Sequence, residues 1–264
     1  MSTPRYTIHR AHMPIPMDAS LNSPVWDAAD WSDRFVDLIS GEPVIMNTRV
    51  KCLYDDEALY IAFHAEEPFI RAELTERDSI IFKESDLEIF IDGGDTYYEL
   101  EVNALNTVYE VFYIWRDVYK KHGWCDRPEF DLLSSEARTF GGNFDRTEDE
   151  FWTGRHPRGD RFAFIHHDLP GMQTAVSIDG TINDDSDIDR GWNLLIRLPW
   201  SGLKDLRGGN GNPPCPGDTM RIGFFRFEQL RNAGQKVCFS WALEPMYVND
   251  CHNPEKLPVV VFAD

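Results

Sequence analysis

Within Asp86 to Glu110, DLEIFIDGGDTYYELEVNALNTVYE, the side chains able to do chemistry are Glu88, Glu99, Glu101 and Asn103. Carboxylates accept hydrogen bonds from hydroxyls, and an amide both donates and accepts. An aromatic face just upstream, Phe82, would complete what a pyranose ring needs: a plate for its C–H face and planar acceptors for its rim. Arg226, in FFRFEQ, is the candidate bidentate donor, or the partner of a neighbouring carboxylate on the same sheet. The same carboxylates also form the minimal equipment for glycoside hydrolysis, an acid beside a nucleophile or base.

These residues can act together only if an element aligns them. Leu87, Ile89 and Ile91 alternate with Glu88, Phe90 and Asp92. After the GGD turn, Leu100 and Val102 alternate with Glu99, Glu101 and Asn103. Side chains alternate across a strand, so the pattern predicts a hairpin with an apolar face toward the core and a polar face turned away from it. Its bland reading is the solvated outer face of an antiparallel sheet.

The flanking sequence has the same character. Strands are expected at Tyr6 to Arg10, on both arms of TRVKCLYDDEALYIAFHAEEP, and in QTAVSIDGTI, GWNLLIRLPW, MRIGFFRFEQL, KVCFSWAL and VVVF. Short helical turns are expected around Pro24 and from Pro199 to Leu206. Many short strands separated by Gly/Pro turns predict an all-β fold, a single jelly-roll-like β-sandwich of two antiparallel sheets spanning residues 1–264. The stretch from Arg138 to Pro170 has no sustained period and reads as one long inserted loop, with Trp152 as an alternative aromatic plate.

Composition narrows the function. A formal net charge of -19, from 45 acidic against 26 basic residues, repels phosphate backbones and anionic lipid. Nucleic acid and membrane are therefore not expected partners, whereas a neutral mono- or oligosaccharide feels no such repulsion. Five cysteines without a CxxC pair suit a reducing compartment. The opening MSTPRYTIHR lacks a hydrophobic secretory region, giving a cytoplasmic location as written, or an extracytoplasmic one if a signal peptide was removed.

For metal, NDDSDIDRG places Asp184, Asp185, Asp187 and Asp189 on one bend. Hard oxygen donors so crowded suit a structural Ca²⁺, and equally a solvated turn whose acids bond their own backbone.

The ordered pieces YDDEALYIAF, DLEIFID, YYELEVNALNTVYE, DGTIND with DIDRGW, IRLPW, MRIGFFR and the closing W-x-x-x-P with HNPE resemble carbohydrate-binding module family 9, and more closely the free-standing family-9-like proteins of bacterial genomes. The resemblance runs from about Leu21 to Phe262. It implies a sandwich that binds sugars without cleaving them, in carbohydrate catabolism, with structural calcium. It also implies a clamp of two tryptophans aided by Glu, Arg and Asn. Carried over, the glutamate falls on Glu88 and the first tryptophan on Phe82. The arginine position holds Glu101, and the second tryptophan falls near Cys251 and His252. Two other classes stay open beside binding: a glycoside hydrolase using the paired carboxylates, and a haem-binding sandwich of the related DOMON type with candidates such as Met220 and His252.

Overall fold

The computed structural model describes residues 5–133, 137–140, 156–206, 210–232 and 235–264. Its strands in chain order are β1 (Tyr6–Arg10), β2 (Val36–Asp37), β3 (Thr48–Tyr54), β4 (Ala58–Glu66), β5 (Asp86–Asp92), β6 (Thr96–Asn103), β7 (Val108–Trp115), β8 (Arg138–Phe140), β9 (Arg161–Phe164), β10 (Gln173–Asp179), β11 (Gly191–Pro199), β12 (Thr219–Asn232), β13 (Gln235–Ala242) and β14 (Val259–Ala263). Among the described residues, helix is confined to single turns such as Pro24–Ala28 and Gly202–Leu206.

The strands form a sandwich whose two layers are continuous. Hydrogen bonding runs β10-β11-β4-β3-β1-β14-β12-β5-β6-β7-β9-β8, with β13 on β12 and β2 on β13. The expected two antiparallel sheets are thus one sheet folded over at β1 and β14, and β1 pairs in parallel with both β14 and β3. The layers meet where alternation places apolar side chains. Leu59, Ile61 and Phe63 of β4 lie opposite Leu198, Ile196 and Leu194 of β11, all fully buried. Phe63 meets Phe224 of β12 at 6.1 Å between ring centroids. Each such residue contributes about 1.5–3 kcal/mol by leaving water. A second, smaller cluster covers the back of β3, β4 and β11, where Leu53, Tyr60, Ala62 and Leu195 pack against Val25 and Trp26 of the Pro24–Ala28 turn.

The β5–β6 hairpin has the register read from its alternation. Leu87, Ile89 and Ile91 stand opposite Val102, Leu100 and Tyr98, and face the inter-layer core. The connecting turn is built by Gly94, at φ +80°, whose amide donates to Asp92 Oδ1 at 2.7 Å.

The inserted stretch departs from expectation. Its ends are strands rather than surface loop: β9 pairs with β7, Trp115 opposite Arg161, and β8 pairs with β9. The run RFAF is too short for its period to show in sequence. Trp152 lies outside the described residues.

Candidate functional site

Across β5, β6 and β7 the side chains pointing away from the core are set by register. Glu88 faces Glu101, which faces Tyr109; Phe90 faces Glu99, which faces Val111; Asp92 faces Tyr97, which faces Tyr113. Asp86, beside Asn103, begins the same row. On the neighbouring strand, Phe225 stands opposite Glu88, and Gly223 opposite Phe90.

This outer face is not solvated. Asp86, Glu88, Glu99 and Glu101 are all 4% exposed or less, because connecting segments close over them. Their acids lie outside the inter-layer core, so the predicted faces are correct and the predicted exposure is not. The Cys251–His252 stretch covers one part: the His252 ring lies 5.1 Å from Phe90 and 4.5 Å from Phe140. Cys251 is buried close enough to Glu88 for that carboxylate to help hold its thiol protonated, after burial itself. The Ile81–Lys83 turn covers another part, with the half-buried Phe82 edge-on to Tyr109 at 6.4 Å and its amide beside Glu101.

Within the face runs a polar chain. Arg161 Nε donates to the Tyr97 hydroxyl oxygen at 2.9 Å, and Tyr97 lies 3.3 Å from His252 Nδ1. Since the Tyr97 oxygen already accepts from arginine, its own proton points at Nδ1, which leaves the Nε2 proton facing Glu99 Oε1 at 3.7 Å. Tyr113 donates to the other oxygen of Glu99 at 2.5 Å and stacks on Tyr97 at 4.2 Å. Burial, then the Arg161 charge, holds His252 well below the ordinary histidine range, so the ring is neutral. Burial raises Glu99 to about 7 despite its bonds to Tyr113 and Glu101. Glu88 and Glu101 rise well above the usual carboxylate range, through burial first and neighbouring negative charge second: Asp86 and Glu99 act on Glu88, and Glu88, Asp86 and Glu99 on Glu101. At neutral pH this face therefore offers protonated acids as well as carboxylates.

Four of the expected site residues are placed differently from the expectation. Asn103 is saturated: its oxygen accepts from the amides of Leu105 and Thr107, and its nitrogen donates to Leu74 O and Glu84 Oε1. It ties the β6–β7 turn rather than facing a ligand. Arg226 registers with Leu87 and so points to the opposite side of the layer. There it is 1% exposed, bound to Glu228, Thr48 Oγ1 and Glu66 O, close to Glu67, and packed 5.0 Å over Trp241. It is the internal ion pair, not a ligand donor. Glu88 and Glu101 are on the expected face but sealed, leaving Phe82 and His252 as the partly accessible members.

In the acidic loop the four aspartates diverge. Asp189 is buried and accepts from the amides of Ile70 and Thr181, Asp185 pairs with Arg71, Asp184 accepts from Ser186, and Asp187 is exposed. Among the described residues, the acids able to bring oxygens around one ion are instead Asp86, Glu88 and Glu101. Met220 shares the core side with Ile222 and Phe224 while His252 covers the outer face, so one iron cannot take both as axial ligands.

The residues missed in sequence are Asp86, Tyr97, Tyr113 and Arg161. Asp86 and Tyr97 lie on the hairpin strands themselves with the parity of Glu88 and Glu101, so the alternation places them on the polar face without giving them a role, and carrying it on to β7 adds Tyr113. Arg161 carried no such signal.

Residues 37–118, which include the whole hairpin, match the model of carbohydrate-binding family 9. No curated protein matches the chain. Among solved structures, a proposed carbohydrate-binding protein from Bacteroides uniformis has TM-score 0.58 and 12% identity, covering 97% of each chain. A family 9 carbohydrate-binding module from Caldicellulosiruptor kristjanssonii in complex with cellotriose has TM-score 0.53 and 13% identity, over 97% of this chain and 93% of that one. The glucose complex of a family 9 module from the same organism has TM-score 0.52 and 13% identity, over 97% and 95%. The family-9 resemblance drawn from the order of the motifs is borne out, and these structures share the β-sandwich across nearly the whole chain.

Proposed function

We propose that the protein binds a mono- or oligosaccharide without cleaving it, at the mouth of the outer face between the Phe82 turn and the His252 stretch. The observation that carries this reading is the family 9 match over residues 37–118, the segment that supplies Phe82 and the acidic row. The solved family 9 modules that share its fold hold cellotriose and glucose. Phe82 offers the ring a plate, and neutral His252, whose Nδ1 is taken by Tyr97, offers its Nε2–H edge as a donor. Hydrolysis fits the geometry less well. Glu88 and Glu101 stand directly opposite each other on adjacent strands under a closed cover, each at most 2% exposed. The two carboxyl groups of a glycosidase must instead flank a bond that substrate can reach.

Calorimetric titration with glucose and cellotriose, run beside a reducing-sugar release assay, tests this reading. Saturable binding without release is expected, with a dissociation constant on the order of millimolar because a single aromatic plate serves the ring. Phe82→Ala should abolish the titration while leaving the melting curve nearly unchanged. Sugar release, or binding untouched by Phe82→Ala, overturns the proposal.

A further inference from the structure

The floor of the outer face poses a problem that hydrogen bonding does not solve. Asp86, Glu88 and Glu101 each bring a carboxylate oxygen within 4.8 Å of the others, and all three residues are at most 2% exposed. Asp86 is wholly buried, and among the described residues neither of its oxygens has a hydrogen-bond partner; Oε2 of Glu101 has none either. The Phe227 amide lies near Asp86 without reaching hydrogen-bond geometry. Buried polar atoms are almost always satisfied, and an unpaired carboxylate out of water is among the most costly groups a fold can hold. If both were ionised, the directly opposed Glu88 and Glu101 would also push β5 and β6 apart.

We propose that Asp86, Glu88 and Glu101 bind a hard divalent cation of calcium's size. Three carboxylates gathered in one place suit a hard cation, and calcium, which takes about six to eight oxygens in a flexible geometry, accepts such a set more readily than magnesium, which demands a near-ideal octahedron and keeps its waters. Three carboxylates can present up to six oxygens, enough to begin a calcium shell. Cys251, the nearby buried sulfur, is a soft donor and a poor ligand for a hard ion. The ion would neutralise the Glu88–Glu101 cross-strand pair and fasten the hairpin beneath the sugar-binding mouth. The site does not depend on sugar binding, and it differs from the acidic loop at Asp184 to Asp189.

The test uses the full chain without sugar. Protein refolded with and without Ca²⁺ is measured for bound metal by elemental analysis, for melting temperature in Ca²⁺, Mg²⁺ and chelator, and for tyrosine-sensitised terbium luminescence, with Tyr109 beside Glu101 as antenna. Expected are one Ca²⁺ per chain, a melting temperature raised by Ca²⁺ and not by Mg²⁺, and terbium emission displaced by Ca²⁺. Asp86→Asn and Glu101→Gln should each weaken Ca²⁺ binding by about tenfold or more, with Asp187→Asn unchanged. The proposal is overturned if wild-type protein refolded in Ca²⁺ holds no stoichiometric ion and melts as in chelator. It is equally overturned if Asp187→Asn loses the ion while the floor variants retain it. The wild-type measurements decide the matter even where a variant fails to fold.

Discussion

At the scale of single residues, the same chemical type serves opposite ends according to the face its strand parity gives it. Arg161 and Arg226 are both fully buried, yet Arg161 Nη1 finds no partner among the described residues and sits amid aromatic rings on the outer face, while Arg226 is enclosed by carboxylates, a hydroxyl and a carbonyl on the inner one. The consequence for Arg226 is structural. It lies against Glu228 at 2.6 Å and Glu67 at 3.4 Å, both buried. Glu67 is already raised to about 7 by burial and then by Glu228, with Arg226 opposing the rise. Removing the guanidinium leaves two acids without their cation, which typically costs about 3–5 kcal/mol. Arg226→Met should therefore lower the urea midpoint sharply at neutral pH, with any sugar titration on the remaining folded protein unaltered. A variant that unfolds like the wild type would show that the arginine is not the strut described here.

At the scale of elements, the outer face is shaped as much by what β12 omits as by what the hairpin supplies. Gly223 stands opposite Phe90, and a methyl group there would come within 2.4 Å of the Phe225 ring. The missing side chain lets Phe225 meet Phe90 edge-on at 5.5 Å and wall off the acidic row. Gly223→Ala should displace that ring, at a cost of about 1–3 kcal/mol in urea unfolding; an unchanged midpoint would mean the wall yields freely. The hairpin itself was legible in the sequence, because period-two alternation fixes which side chains share a face. Leu87, Ile89, Ile91, Leu100 and Val102 are all in the core as expected. What alternation cannot report is what covers the other face. The Cys251 and Phe82 segments reach the acids through long-range contacts without local period, so a row read as open proved closed. Asn103 was misassigned for a related reason: a side chain at a strand end is claimed first by the turn it adjoins.

At the scale of the whole molecule, burial of acids ties stability to pH in a direction opposite to that of ordinary surface carboxylates. Glu110 shows this most plainly. It is completely buried at the end of β7's inner face, bonded by Tyr98 and the Leu169 amide and paired with Arg77, yet burial outweighs these partners and lifts it to about 7 from 4.5. Glu67 is raised to about 7 in the same way. Between pH 4.5 and 7 the folded chain thus holds protons that the unfolded chain has released, so folding stability falls as pH rises through that window and levels off above it. Each group contributes at most about 3 kcal/mol to the change. General repulsion from a net charge of -19 has the same sign, so melting temperature alone does not separate the two. Salt does, because exposed charges are screened within about 10 Å at 0.1 M whereas buried carboxyls are not. The expected result is a melting temperature that declines from pH 5 to pH 8 and keeps most of that slope in high salt. Glu110→Gln, which mimics the protonated acid, should flatten part of it. A slope that salt erases would assign the effect to surface charge, and a Glu110→Gln variant with the full wild-type slope would show that Glu110 is already ionised in the folded protein.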